Sequence, residues 1–189
     1  MTKTGESKAL FLDRDGVLIE YVPYLSHPDQ VRIPQGSAEV LKKWQDAGYL
    51  LIVITNQSGI GRKYFSLNDV EAVHSRMYEE YAKFGVRFRD LFLCPHHPLD
   101  GCVCRKPSPY MVQQAAKKYA INLSQSFFVG DAPSDIECAL NAGCEPILIT
   151  SRLSNSVDCE GLNFVTTTKR ASSLSKTWDL KTEVINKIQ

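Results

Sequence analysis

No stretch of this chain is long and apolar enough to cross a bilayer, which excludes a helical membrane protein. An excess of charge is missing too: 22 basic side chains stand against 21 acidic ones, a formal net charge of +1. Without a global field, nothing in the overall balance recruits nucleic acid or an anionic membrane surface, and only local patches could do so. The opening Met-Thr-Lys-Thr-Gly-Glu-Ser-Lys carries charges but lacks the apolar stretch of a secretory signal, so a cytoplasmic protein is expected. There is no internal repeat and no low-complexity linker. At 189 residues and 43% hydrophobic side chains, a single domain over 1–189 can bury a core without disulfide staples, and a monomer is expected. Of the six cysteines, Cys138, Cys144 and Cys159 are scattered. Cys94, Cys102 and Cys104 form a tight cluster, which in a reducing compartment more often binds metal than bridges.

What the chain does have begins at Ala9-Leu10-Phe11-Leu12-Asp13-Arg14-Asp15-Gly16. The apolar run is too short for a helix and reads as a buried strand, and residues two apart on an extended chain project to the same side. Asp13 and Asp15 can therefore meet one substrate. Two carboxylates that close repel each other, so a metal ion or a lysine must offset them.

Further along, Val40, Leu41 and Trp44 recur at helical spacing, and Gly48 is placed to close that helix. Tyr49 to Ile54 reads as a second strand that breaks into Thr55-Asn56-Gln57-Ser58-Gly59-Ile60-Gly61. Ser66 with Asp69 predicts a capping box before a helix whose apolar face is Val70, Val73, Met77 and Tyr81. A third strand is expected near Phe88 to Leu93. From Cys94 to Pro107 the chain is too rich in Pro, Gly, Cys and His for regular structure. Ser108 and Pro109 are expected to open a helix running through Tyr119. Ser126 to Gly130 reads as a fourth strand, Ser134 with Glu137 as the capping box of a helix ending near Gly143, and Pro146 to Thr150 as a fifth strand. A short sixth strand is expected near Phe164 and a peripheral helix from Ala171. Strands that are apolar throughout and alternate with helices imply an α/β fold, a parallel sheet covered on both faces. Asp13, Thr55 and Asp131 then all follow strand C-terminal ends, which line a common crevice in such sheets.

Asp13-Arg14-Asp15-Gly16, Thr55 after its strand, Lys106, and Gly130-Asp131 followed by Asp135 resemble the four ordered motifs of the haloacid dehalogenase (HAD) superfamily of phosphatases, over roughly residues 8–150. The resemblance implies a Rossmann-like domain in which Asp13 attacks phosphorus while Asp15 protonates the leaving oxygen and later deprotonates water. It further implies Mg2+ held by the Asp13 and Asp131 carboxylates and the Asp15 carbonyl. Such chemistry makes physical sense, since a carboxylate can approach a phosphate dianion only when their repulsion is neutralised. Lys106 supplies a second cation, and the Thr55 hydroxyl with the Asn56 amide suits the phosphoryl oxygens.

Cys94-Pro95-His96-His97-Pro98 and Cys102-Val103-Cys104 offer three thiolates and one imidazole, a donor set for tetrahedral zinc with every position filled and hence a structural role. On spacing alone either His96 or His97 completes it; the family resemblance favours His96. Arg105 and Lys106 follow directly, so the metal would fix where these cations point.

Only about twenty residues separate Asp15 from the first helix, and nothing large follows Thr55, which leaves no room for a cap domain. The site is then walled by Glu20 to His27, by Gly59 to Phe65 and by the zinc loop, where Arg62, Lys63 and Arg105 can grip a second anionic group. The Thr55 to Arg62 segment and the zinc loop are most similar to the heptose bisphosphate phosphatases. That likeness implies removal of the 7-phosphate from D-glycero-D-manno-heptose 1,7-bisphosphate in supply of lipopolysaccharide or other surface polysaccharide. Carried over, substrate contacts fall to Glu20, Tyr21, Val22, Pro23, Thr55, Asn56, Gln57, Ser58, Arg62, Arg105 and Lys106. Where that family usually has a basic residue after the metal-binding aspartate, this chain has Ala132. Histidinol-phosphate phosphatases share the motifs and the zinc loop, and polynucleotide 3'-phosphatases share the Thr-Asn-Gln segment. The near-neutral charge and the lack of a basic stripe weigh against a nucleic-acid substrate.

Overall fold

The computed structural model describes residues 7–150 and 168–180. Six strands, β1 (Lys8–Leu12), β2 (Tyr49–Asn56), β3 (Asp90–Cys94), β4 (Phe127–Gly130), β5 (Glu145–Ile149) and β6 (Lys169–Ala171), form one sheet in the order β3-β2-β1-β4-β5-β6. Every pairing is parallel, so each neighbour is reached by a crossover. The crossovers carry α1 (Ser37–Asp46), α2 (Ser58–Gly61), α3 (Leu67–Ala82), α4 (Tyr110–Tyr119) and α5 (Pro133–Ala142). Strand order reverses at β1: β2 and β3 add on one side, then the chain crosses back and adds β4 to β6 on the other. Such a reversal opens a crevice at the C-terminal ends of β1 and β4.

Alternate side chains of the central strands feed two separate cores. Leu10 and Leu12 join Leu51, Val53, Val129 and Ile147 against Trp44 of α1 and Val73, Met77 and Tyr81 of α3. Ala9 and Phe11 join Ile52, Ile54 and Phe128 against Met111 and Val112 of α4 and Cys138 and Ala139 of α5. The period of two along β1 is thus what seats helices on both faces of the sheet. Trp44 Nε1 also donates to Thr177 Oγ1 at 3.2 Å, which ties the described C-terminal stretch to α1.

Several local readings hold. Gly48 follows α1 at φ +83°, and α3 carries the expected cap, with Asp69 N donating to Ser66 Oγ at 3.2 Å and Ser66 N to Asp69 Oδ2 at 2.7 Å. Others shift. β3 starts at Asp90, because the Phe88 ring packs against the rings of Tyr78 and Tyr81, at 5.4 and 5.3 Å, rather than joining the ladder. The α4 helix starts at Tyr110, whose N–H reaches Ser108 Oγ at 3.3 Å. At α5 the capping carboxylate is Asp135, not Glu137, and no hydroxyl of Ser134 caps the end. The last described strand is Lys169–Ala171, while Phe164 lies outside the described residues. Ala171 ends that strand, helical turns follow at 174–180, and the remainder of the expected peripheral helix lies outside the described residues, as does Cys159.

Candidate active site

Asp13 continues the line of β1 and donates its N–H to Val129 O at 2.9 Å, so its carboxylate stands at the point where strand order reverses. The chain then turns tightly: Arg14 O accepts from Leu18 N and Ile19 N at 2.9 and 3.0 Å, and Gly16 takes φ +84°, a left-handed conformation that glycine adopts without strain. Lys106 arrives from the loop before α4, and its Nζ donates to Asp13 Oδ1 at 2.6 Å, to Asp135 Oδ1 at 2.7 Å and to Ile54 O at 2.9 Å. Asn56, at the end of β2, holds the Lys106 backbone from both ends: its Oδ1 accepts from Lys106 N at 3.1 Å and its Nδ2 donates to Lys106 O at 3.2 Å. The Asn56 side chain is therefore committed to aiming the lysine.

Asp131 follows β4, and Asp135 reaches back from the first turn of α5, where its Oδ2 accepts from Asp131 N and Ala132 N at 3.2 and 3.1 Å. Gly130 makes that approach possible, since a Cβ there would fall 2.2 Å from the Cβ of Asp135. Asp13, Asp131 and Asp135 are all buried and bring carboxylate oxygens within 4.8 Å of one another. Burial pushes the Asp13 carboxyl up to about 8; the Lys106 ammonium pulls it down, and the charges of Asp135, Asp131 and Asp15 push it up again. Burial disfavours the Lys106 ammonium, but the charges of Asp13 and Asp135 prevail and raise its pKa. Three buried carboxylates against one ammonium leave an excess of negative charge on hard oxygen donors, a set that suits a magnesium ion.

Asp15 is held by three donors. Arg14 grips it with Nε to Oδ2 at 3.1 Å and Nη2 to Oδ1 at 2.9 Å, and Gln57 Nε2 donates to Oδ2 at 2.8 Å. Gln57 Nε2 also lies 2.9 Å from Thr55 Oγ1, which fastens the end of β2 to the same group. Behind Arg14 stands His74 of α3, its Nε2 3.2 Å from Arg14 Nη1. No periodicity argument singled out His74, because it sits beside Val73 on a helix whose apolar repeat accounts for its burial.

These groups open into a cavity of about 330 Å³. Tyr21, Val22, Asn56, Gln57, Ser58, Arg105 and Lys106 line it, together with Ala132 and the aspartates; Glu20, Pro23, Thr55 and Arg62 do not. Two of the expected walls meet, since Tyr24 and Tyr64 form an edge-to-face pair with ring centroids 4.7 Å apart. The third wall carries Arg105, whose buried Nη1 has no hydrogen-bond partner and points to an anion as its missing acceptor.

In the adjoining loop, Cys94 Sγ lies 3.6 Å from Cys102 Sγ and 3.6 Å from His96 Nδ1, and Cys104 Sγ lies 3.8 Å from Cys102 Sγ and 3.2 Å from His96 Nδ1. Zinc–sulfur bonds of about 2.3 Å place two sulfurs of a tetrahedron about 3.8 Å apart, so the donors are spaced to hold such an ion. His97 is not among them: its Nδ1 accepts from Leu99 N at 3.1 Å and its own N–H donates to Asp100 Oδ2 at 2.8 Å, so it serves the turn.

The HAD-hydrolase-like family model matches residues 103–176. D-glycero-beta-D-manno-heptose-1,7-bisphosphate 7-phosphatase of Helicobacter pylori is 42% identical over 137 residues, 72% of this chain and 79% of that protein. The enzyme of the same name from Pseudomonas aeruginosa is 42% identical over 142 residues, 74% of this chain and 79% of that protein. A crystal structure of D,D-heptose 1,7-bisphosphate phosphatase from B. bronchiseptica, complexed with magnesium and phosphate, superposes with a TM-score of 0.80 at 30% identity, covering 95% of this chain and 99% of that one. Among the described residues, no helix is long and apolar enough to cross a membrane. Asp13, Asp15, Lys106, Asp131 and Asp135 gathered on one cavity, in a chain with these relatives, make this protein a phosphatase of the haloacid dehalogenase-like hydrolase family.

Proposed function

We propose that this protein hydrolyses the 7-phosphate of D-glycero-D-manno-heptose 1,7-bisphosphate by way of a phosphoryl group carried on Asp13, supplying heptose for surface polysaccharide. The observation that carries the reading is the contact of Lys106 Nζ with both Asp13 and Asp135, at 2.6 and 2.7 Å, on the floor of a cavity with room for one sugar. An ammonium between two buried carboxylates is costly to assemble for stability alone, whereas it is what an anionic nucleophile facing an anionic ester requires.

In this reading the Asp13 carboxylate attacks phosphorus, and the P–O bond to the sugar breaks as Asp15 passes a proton to the departing oxygen. Asp15 then takes a proton from water, which attacks the phosphoryl group and frees Asp13. Splitting one displacement in two is the usual gain of covalent catalysis. Lys106 screens Asp13 from the incoming phosphate, and the backbone of Asn56 is assigned to the phosphoryl oxygens, while Thr55, whose hydroxyl accepts from Gln57 Nε2 at 2.9 Å, steadies that turn. Asp13 and Asp131, with the Asp15 carbonyl, are the residues that would hold magnesium, whose charge when bound offsets that of the carboxylates and the phosphate. The relative crystallised with magnesium and phosphate supports the choice of metal. Arg105, with Nη1 lacking a partner, is assigned to the second phosphate, while Tyr21 and Val22 face the sugar and Glu20, Pro23 and Arg62 lie outside the cavity lining. Cys94, His96, Cys102 and Cys104 would hold a structural zinc ion that orients Arg105 and Lys106. The protein is read as one cytoplasmic domain, acting as a monomer on a small soluble substrate.

Initial rates on heptose bisphosphate, histidinol phosphate and a 3'-phosphorylated oligonucleotide, compared at one magnesium concentration, test the substrate. A kcat/KM for histidinol phosphate equal to or above that for the heptose would overturn it.

A further inference from the structure

We propose that His74 is a positioning residue for the proton-transferring group Asp15, acting through Arg14; the inference rests on the role just assigned to Asp15. Arg14 and His74 are both buried, at 1% and 7% exposure. A guanidinium has five N–H donors and no acceptor, and it is never deprotonated. Two faces of the Arg14 fork reach the Asp15 carboxylate, and Nη1 on the far side finds His74 Nε2 at 3.2 Å. Since the guanidinium can only donate, Nε2 must present its lone pair, which places the imidazole proton on Nδ1. Burial, and the Arg14 charge beside it, keep that ring neutral and pull its pKa down to about 4.

The consequence lies at Asp15. Oδ2 accepts from two groups, Arg14 Nε and Gln57 Nε2, whereas Oδ1 accepts only from Arg14 Nη2. A carboxylate oxygen offers about two lone-pair sites, so Oδ1 is the atom with one left for the proton that passes to the leaving oxygen. Rotation of the guanidinium would exchange that free site for an occupied one. His74 opposes the rotation because Nη1 would otherwise be a buried donor without a partner. A helix outside the four motifs thus sets which oxygen of the acid faces the substrate.

The test is the dependence of rate on leaving group, because a misplaced acid matters most for poor leaving groups. Phosphate monoesters are compared from p-nitrophenyl phosphate, whose leaving group has a pKa of about 7, to alkyl phosphates of about 15, where general acids contribute 10²- to 10⁴-fold. His74→Leu is expected to lower kcat/KM, which reports transfer to Asp13 and not the later hydrolysis that all the esters share, by about tenfold or more for the alkyl esters, with p-nitrophenyl phosphate within about twofold of the parent. His74→Gln, which returns an acceptor near the Nε2 position, is expected to restore the parental dependence. His74→Asn, whose acceptor stops short, is expected not to, and this Gln and Asn pair decides the matter should the leucine variant fail to fold. Equal losses across the series, or Gln and Asn variants that behave alike, overturn the proposal. Asp15→Asn measured beside them separates the two inferences. A parental slope in that variant would remove the assignment of Asp15 and His74 with it, whereas a steep slope there beside a parental one in His74→Leu would remove His74 alone. No heptose enters the series, so its outcome is independent of the natural sugar.

Discussion

Gly61 stands so close to His97 that a methyl group on its Cα would fall 2.2 Å from the His97 backbone nitrogen. The same glycine donates its N–H to Pro95 O at 2.8 Å, so the segment after β2 and the cysteine loop are packed backbone to backbone. No side chain at the contact can swing away. Gly61→Ala is therefore expected to push the two loops apart, costing about 1–3 kcal/mol and loosening the thiol cluster. Thermal melting and zinc stoichiometry check it together; parental values for both would show that the contact yields freely.

Cys102→Ser should bind less zinc and melt at a lower temperature, because three donors hold the ion less well than four. Burial first, with the neighbouring Cys104 and Cys102 thiols adding to it, pushes the Cys94 thiol up to about 12, so a thiolate at Cys94 calls for a cation beside it. Turnover should fall as well, since Arg105 and Lys106 follow Cys104 directly. Unchanged metal content by elemental analysis would remove the site.

Asp13→Asn should abolish turnover and preserve the fold. The substitution removes a carboxylate that burial disfavours and leaves Lys106 paired with Asp135 at 2.7 Å. Residual activity within about tenfold of the parent would contradict its role as nucleophile, given the size of covalent and electrostatic contributions. Lys106→Met is the harsher change: it strands Asp13 and Asp135 without their ammonium, and about 3–5 kcal/mol of stability should go with it. A chemical denaturation midpoint equal to the parent's would argue against that account.

Acid should weaken the fold through His74. Its folded-state pKa is held down near 4, against an ordinary value of 6.5, by burial first and the Arg14 charge second. Between those values the unfolded chain binds the extra proton, so stability rises with pH across that window. The contribution is present above about 6.5 and is lost as pH falls through about 4, and its full size is on the order of 3 kcal/mol. Unfolding free energies of parent and His74→Gln, measured from pH 4 to 7, should diverge in slope within this window; parallel curves would mean that the imidazole is not kept neutral.

The parallel sheet and the floor of the site could be read from the chain because both rest on short-range patterns. An apolar run ending in Asp13-Arg14-Asp15-Gly16 has few folds open to it, and Lys106 is marked by the cysteines before it. Asp135 was harder to read, since Ser134 with Glu137 satisfies the spacing of a cap as well as Asp135 does. Only the contact over Gly130 shows which carboxylate turns inward. Phe88 looks like a strand residue by type, yet the rings of Tyr78 and Tyr81 capture it, a tertiary choice that local propensity does not encode. His74 left no mark at all, because its importance comes from a partner 60 positions away. Asn56 was marked for substrate by its neighbours, while its amide is spent on the backbone of Lys106.

The bond between Lys106 and Asp13 spans 93 positions of the chain, and the central strand that bears Asp13 is flanked by β2 on one side and β4 on the other. A nascent chain emerging from the ribosome would carry its reactive aspartate long before the cation that tames it. Hydrolysis should accordingly switch on late and all at once, which would let the appearance of product serve as a clock for the moment the last central strand docks.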